Sequence, residues 1–446
     1  MSKYDLIVLG TGGAGYRVAM SAKKAGWKVA VVNEGLFGGT CSVRGCIPKK
    51  VLAGTAEVVD ITHRLTEMGI LKEAARVDWK ALIAFKRTFT DPVPVSTEQA
   101  LREAGIDVFV GEPRFMGDLE LEVAGQKLSA KKVHIAVGAK PAKLPFDGFE
   151  YLTLSDDFFE LDELPKRIVF VGGGYVSFEF AHVAARFGAE VTILHGDDHP
   201  LPMFDRDVIS TMLAASKDAG IKVELNAGVA KIERYDEMLI VTATDGRTFE
   251  ADLAVHGAGR PPAISDLNLE ATGVDFDPRR GVLVNEFLQS TSNPNVYAAG
   301  DAAAAGPPLS PVAGVQGGIV ADNLLGTEHR QPSYLSTPSV MFTTPVVSRV
   351  GYLEHEAADK GLKFDTVTTD LTSWFDSKRF GVKHAMSKVL VEKDSHKILG
   401  AHLIGNHAED LINIFSLAVE LGLTTEQLKA PIMAFPTASD DMRYMF

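Results

Sequence analysis

The sequence predicts an α/β protein: two dinucleotide-binding βαβ units on parallel sheets, followed by a C-terminal α+β module. Three observations predict it. The glycine-rich turn Gly10-Thr11-Gly12-Gly13-Ala14-Gly15 follows an apolar run at 4–9 and opens a helix. A second such turn, Gly172-Gly173-Gly174-Tyr175-Val176-Ser177, follows an apolar run at 168–171. From 339 onward the pattern changes to strands of alternating character and then helices.

In the first unit, residues 4–9 (YDLIVL) read as a buried strand, the helix ends at Gly26, and residues 28–32 form the second strand. The strand–turn–helix context makes the motif specific, because its glycines permit a tight turn and a diphosphate rests on the helix N-terminus. An acid should follow the second strand to hold a ribose hydroxyl. Asn33 comes first and Glu34 next, so either Glu34 serves with a one-residue shift or Asn33 is a neutral substitute.

The stretch 38–50 (GGTCSVRGCIPKK) holds the only two cysteines of the 446 residues, Cys41 and Cys46. Gly38-Gly39 allows close backbone approach, and Pro48 suits the first turn of a helix. A thiol at a helix start near Arg44, Lys49 and Lys50 should have a depressed pKa, which makes it reactive. A structural zinc site needs about four ligands, and no second Cys pair exists. A redox dithiol is the reading that remains.

The cysteine helix should run to 68. A helix over 78–89 is broken by Pro92 and Pro94 and resumes to 104. Short strands at 107–110, 119–123 and 133–137 lead to a turn at Gly138. The second unit pairs strands 168–171 and 191–194 around a helix ending near Gly188, with Ser177 at the third small position still allowing close packing. Residues 254–262 return from it. A strand entering Gly300-Asp301 and a helix over 311–325 precede a linker marked by Pro332 and Pro338.

At about 150 residues per domain the length predicts two to four domains. The net charge, 45 minus 58 or −13, opposes nucleic acid and anionic membranes. No apolar run approaches the roughly 18 residues of a membrane span, and the N-terminus does not read as a signal peptide. Two cysteines without a disulfide framework fit a reducing, cytoplasmic setting.

These residues resemble the pyridine nucleotide–disulfide oxidoreductases, the family of glutathione reductase, dihydrolipoamide dehydrogenase and mercuric reductase. The most specific match is GGTC-x4-GC-x-PK at 38–49. It is supported by both glycine turns, GGGYVSFE at 172–179, the turn at 257–261, Ala299-Gly300-Asp301 and GAHLIG at 400–405. The resemblance implies two Rossmann-like domains, for FAD and NAD(P), plus a C-terminal α+β dimerisation domain. The implied boundaries are 1–145 and 264–330 for the two parts of the FAD domain, 146–263 for NAD(P), and 331–446 for the interface.

It also implies roles. Cys46 is similar to the thiolate that faces the flavin, and Cys41, nearer solvent, to the interchange thiol that attacks substrate. Lys49 would sit by the flavin and pair with Glu179, and Tyr175 would cover the flavin until nicotinamide displaces it. Asp301 would bind the FAD ribityl or diphosphate region. The remaining implied cofactor contacts are Gly10, Gly12, Gly13, Ala14, Gly15, Asn33 or Glu34, Gly39, Thr40, Lys50, Gly138, Gly172, Gly174, Val176, His195, Gly259 and Gly300. A homodimer sharing its active site across the interface is implied as well.

Two departures from the family pattern matter. NAD-selective relatives carry an acid where this chain has His195, and NADP-selective ones carry arginines where it has Gly196 and Pro202, so NADPH is slightly favoured over NADH. Disulfide-reducing relatives carry His-Pro-x-x-x-Glu near the C-terminus, where this chain has Phe435-Pro436-Thr437-Ala438-Ser439-Asp440. Phe435 cannot carry a proton. The expected function is an FAD-dependent NAD(P)H oxidoreductase acting through Cys41–Cys46 on a small disulfide or other thiophilic substrate. The alternatives are a C–S-cleaving reductase of the 2-ketopropyl-coenzyme M type, which shares Phe for His, and a non-catalytic flavoprotein subunit.

Overall fold

The computed structural model describes residues 2–446. The chain packs as two compact units that interleave in sequence. The first comprises the residues up to Pro48, Ala84–Ala142 and Gly259–Tyr334; the second comprises Lys49–Ile83, Lys143–Ala258 and Leu335–Phe446.

The first unit is built on a seven-stranded sheet. Strand Ser2–Leu9 pairs in parallel with Val29–Asn33 on one side and Gln126–Ile135 on the other, and Val29–Asn33 pairs with Asp107–Val110. Leu6, Ile7, Val8 and Leu9 are all fully buried, as a central parallel strand covered on both faces requires. Gln126–Ile135 is longer than the expected strand because, besides Ser2–Leu9, it has two further partners. Its first half pairs antiparallel with Glu120–Val123, and its last residues pair in parallel with Val296–Ala298. Helices Gly13–Lys24 and Ser310–Leu325 pack closely, since a Cβ on Gly317 would stand 2.8 Å from the Ala14 backbone. The two prolines open no long break: helix Trp79–Thr90 is followed at once by Pro92–Glu103. Both prolines fall in its first turn, where no N–H is needed.

The second unit contains a five-stranded parallel sheet in the order Lys222–Glu224, Glu190–Leu194, Arg167–Val171, Leu253–His256, Leu152–Thr153. An antiparallel three-stranded meander spans 229–251. A five-stranded antiparallel sheet follows, in the order Ser339–Met341, Val346–Gly351, Ile398–Gly405, Met386–Glu392, Phe364–Asp370. Helix Ala408–Leu421 lays Leu411, Ile412, Phe415 and Ala418 on Val350, Val389 and Leu403 of that sheet. Among the described residues no helix is long and apolar enough to cross a membrane.

Candidate active site

The first glycine turn is set by backbone crowding. Gly10 has φ +98°, and a Cβ there would stand 2.3 Å from the Ala136 carbonyl; a Cβ on Gly15 would stand 2.2 Å from the Gly10 carbonyl. Helix Gly13–Lys24 starts with no side-chain cap and no acid in its first turn. Its free N–H groups suit a diphosphate. The cysteine stretch lies directly on this turn. Gly39 has φ +76°, and a Cβ there would stand 2.6 Å from Gly12 Cα.

Thr11, overlooked in the sequence, ties these parts together. Its hydroxyl donates to Asn33 Oδ1 (2.8 Å) and accepts from the Gly38 N–H (3.2 Å), while Asn33 Nδ2 donates to the Gly35 carbonyl (2.6 Å). Asn33 is therefore buried and engaged inward. Glu34 is exposed just beyond the strand and pairs with Lys140 at 2.9 Å.

Cys41 ends up half-buried in the short helix Gly39–Arg44, and Cys46 exposed at the first position of helix Cys46–Glu67. Cys41 is covered by its hydrogen bond to Cys46, whereas a side chain at a helix start projects from its end. The expected low pKa fails for Cys41. Its hydrogen bond to Cys46 and then burial push the thiol up, with Ser310 opposing. Two adjacent thiols hold their second proton more tightly than their first. The nearby lysines spend their charge elsewhere: Lys49 pairs with Glu179 at 2.6 Å and Lys50 with Glu409 at 3.6 Å. Ser310 Oγ, at the start of helix Ser310–Leu325, lies 3.3 Å from Cys46 Sγ. The sequence carried no sign of this contact, which spans 264 positions.

Gly300 donates its N–H to Gln316 Oε1 at 2.7 Å, which fixes the turn carrying Asp301. Burial raises the Asp301 pKa against the pull of Arg260. A half-buried carboxylate suits a hydroxyl-bearing ligand. Gly138 and Gly259 both have positive φ, and the Gly259 carbonyl accepts the Ala142 N–H at 3.1 Å. Thr40 is exposed in the short helix Gly39–Arg44.

In the second unit, Lys49 and Glu179 form a nearly buried pair, and Glu179 Oε1 also accepts the Phe342 N–H at 2.8 Å. The ammonium groups of Lys49 and Lys50 sit 4.1 and 4.0 Å from the Phe342 ring centroid. Helix Tyr175–Arg186 begins, like the first, with no side-chain cap and no acid in its first turn. Ser177 replaces the usual third glycine because its hydroxyl donates to the Gly172 carbonyl while Gly257 makes room. Tyr175 packs edge-on against Phe204, with centroids 5.7 Å apart. Its pKa is pushed up to about 12 by burial and by Glu179, with Arg349 and Ser339 pulling back.

His195 lies over the second glycine turn. Its Nδ1 accepts the Gly173 N–H (3.2 Å), so Nε2 carries the proton and donates to the His199 carbonyl (3.2 Å). Gly174 and Val176 flank the helix start beside Tyr175. At the C-terminus Phe435 is 82% exposed, and Asp440 accepts from Arg443 at 2.6 Å.

The comparisons with known proteins agree with this architecture. Residues 4–317 match the model of the pyridine nucleotide-disulphide oxidoreductases, and 337–446 match the dimerisation domain of the same family. The chain is 32% identical to a mercuric reductase of Lysinibacillus sphaericus, over 99% of this chain and 81% of that one. It is 31% identical to a dihydrolipoyl dehydrogenase of Bacillus subtilis (98% and 94%) and 30% identical to a glutathione reductase of Nostoc (98% and 98%). Among solved structures, the Cu(II) complex of the HOCl-induced flavoprotein disulfide reductase RclA from Escherichia coli superimposes with a TM-score of 0.89 at 28% identity, covering 100% of this chain and 99% of that one. The chain belongs to the pyridine nucleotide-disulphide oxidoreductases, as an FAD-dependent enzyme with a dimerisation domain.

Proposed function

We propose that the enzyme passes electrons from a nicotinamide dinucleotide, through FAD, to the Cys41–Cys46 pair and from there to a small disulfide or another thiophilic substrate. The observation that carries this reading is the dithiol itself: two hydrogen-bonded thiols with the Ser310 hydroxyl 3.3 Å from Cys46. Bound FAD would supply two-electron carriage between nicotinamide and dithiol. The turn at 10–15, Glu34, Gly39 and Asp301 would hold it, with Lys49 and Glu179 supplying a fixed charge pair. Glu34 is the better ribose ligand, because the Asn33 amide is already spent on Thr11 and Gly35.

Cys41 thiolate would attack a substrate disulfide and expel one thiolate. Cys46 would then attack the Cys41 sulfur, expel the second and re-form the Cys41–Cys46 bond. NADPH is slightly favoured as donor, because position 195 itself carries no carboxylate to repel a 2′-phosphate, although Asp197 stands 3.9 Å from the His195 ring. Comparing kcat/KM for NADPH and NADH tests that preference. A cytoplasmic location and a homodimer complete the reading, with the domain boundaries given by the resemblance.

Phe435 supports a narrower statement. In place of a proton donor it would leave the departing thiolate to water, so ordinary disulfides should turn over slowly. The same substitution favours C–S cleavage of a thioether as the second reading, since excluding a proton source protects a carbanion. Thiophilic metals belong in the substrate panel too, given the mercuric reductases among the relatives and the Cu(II) in the RclA structure. The test is NADPH consumption with glutathione disulfide, a coenzyme M thioether and Hg²⁺. Cys41→Ala and Cys46→Ala should abolish turnover of the true substrate, and unchanged turnover in both refutes the dithiol mechanism. Phe435→His should raise disulfide reduction about 10²-fold or more, as a restored general acid does. No gain would show that the missing donor does not limit the rate.

A further inference from the structure

We propose that a polar row across the antiparallel sheet, Ser339, Arg349, His402 and Lys388, is a latch that positions Tyr175 and so sets how readily nicotinamide enters. This rests on the reading of Tyr175 as the ring that nicotinamide must displace.

The row follows from strand register. Ser339 stands opposite Arg349, Arg349 opposite His402, and His402 opposite Lys388. Facing residues of antiparallel strands share one face of the sheet. All four side chains therefore point the same way, and each end of the row grips something that bears on Tyr175.

At one end Lys388, only 5% exposed, holds Asp205 at 3.0 Å, Asp207 at 2.8 Å and Glu354. Asp205 caps helix Arg206–Asp218, accepting the N–H groups of Asp207 and Val208. Further along, Arg349 donates to the Met203 carbonyl and, at 2.9 Å, to the Gly351 carbonyl. The residue between these two anchors is Phe204, which is buried edge-on against Tyr175. At the other end Ser339 and Arg349 both face the Tyr175 hydroxyl and favour its ionised form. His402 donates to the Tyr352 carbonyl at 3.1 Å and stays neutral in the interior, its pKa lowered to about 4 chiefly by burial.

The ring and the hydroxyl of Tyr175 are thus held by the same sheet row, the ring through Phe204 and the hydroxyl directly. A ligand that displaces Tyr175 must first break that hold, so its apparent affinity is reduced by the fraction of enzyme in the latched state. Loosening the latch should tighten dinucleotide binding and lower KM with little change in kcat.

The experiment titrates oxidised holoenzyme calorimetrically with NADP⁺ and NAD⁺. In wild type, Ser339→Ala should lower the dissociation constant about fivefold, the scale of one lost hydrogen bond, and Arg349→Met, which removes a charge and the Met203 contact, should lower it as well. Arg349→Lys should restore most of the wild-type value. In a Tyr175→Phe background Ser339→Ala should have no further effect, because the hydroxyl it acts on is gone, whereas Arg349→Met should keep only the part of its effect that runs through Met203 and Phe204. Ser339→Ala leaves the contacts to Met203 and Gly351 intact and so guards against simple unfolding. Equal effects with and without the Tyr175 hydroxyl, or no effect at all, overturn the latch. A Tyr175→Ala variant separates the two levels. If it leaves binding and flavin reduction unchanged, the gate reading falls and the latch with it; if it shifts them while Ser339→Ala and Arg349→Met do not, only the latch falls.

Discussion

Cys41 shows how far single residues could be read from the chain. Its identity as a redox thiol follows from GGTC-x4-GC, because a glycine pair, a helix-starting proline and the only two cysteines stand within thirteen positions. Its protonation could not be read that way. Basic neighbours in sequence suggested a low pKa, yet the two lysines pair with Glu179 and Glu409, more than a hundred positions away. What governs Cys41 is the neighbouring sulfur, which raises its pKa. The sign gives a prediction. Removing Cys46 removes the largest cause, so in Cys46→Ala the Cys41 thiol should titrate at lower pH than in the reduced wild type. Alkylation of Cys41 by iodoacetamide, followed against pH, should show its rise shifted to lower pH in the variant. An unshifted profile would show that burial, not the second sulfur, holds the proton.

At the scale of elements, the two glycine turns were legible because their backbone needs no tertiary knowledge: a positive φ or a carbonyl within 3 Å leaves room only for glycine. Their partners were not legible, since Asn33 and Gly38 reach the first turn through Thr11, and Gly257 reaches the second, only through folding. Ser177 illustrates the difference. The sequence shows a departure from the third glycine, and only the structure shows that Gly257 offsets it. A Cβ on Gly257 would stand 1.9 Å from Ser177 Oγ. Gly257→Ala should therefore destabilise the protein by roughly 2 kcal/mol, the scale of overpacking in a tight site. Adding Ser177→Gly removes the clash and should restore most of the loss, leaving only the Gly172 carbonyl at 3.3 Å. Urea unfolding of the single and double variants measures both. If the double variant is no more stable than Gly257→Ala alone, the hydroxyl is not what Gly257 accommodates.

At the scale of the whole molecule, the two modules and the sheet that follows them were visible as pattern. The resemblance implied a first domain in two parts around the second, but not the further split of its first part, because only packing reveals that Pro48 and Lys49, adjacent in one helix, fall to different units. Nor does the pattern say which surface awaits a partner. The second unit carries that surface in its last forty residues: Ile432 is 96% exposed, Phe435 82%, Leu421 66% and Leu417 59%. Leu417 and Leu421 are one turn apart on the outer face of helix Ala408–Leu421. Apolar side chains this open and this close in sequence mark an interface, and the dimerisation-domain match over 337–446 suggests a second copy as the partner. Burying a charge at that interface without a counter-charge is costly enough to prevent association. Ile432→Asp and Leu421→Asp should therefore give a monomer near 48.0 kDa by light scattering, where the wild type runs at twice that mass. Function should divide along the same line. The glycine turns, the cysteines and the Lys49–Glu179 pair all belong to one chain, so NADPH should still bleach the flavin of the monomer at close to the wild-type rate. If the site is shared across the interface, as the resemblance implies, substrate turnover should change in the monomer, because Phe435 of a second copy no longer stands beside the dithiol. A monomer that keeps full turnover would place every catalytic group within one chain and remove Phe435 from the site.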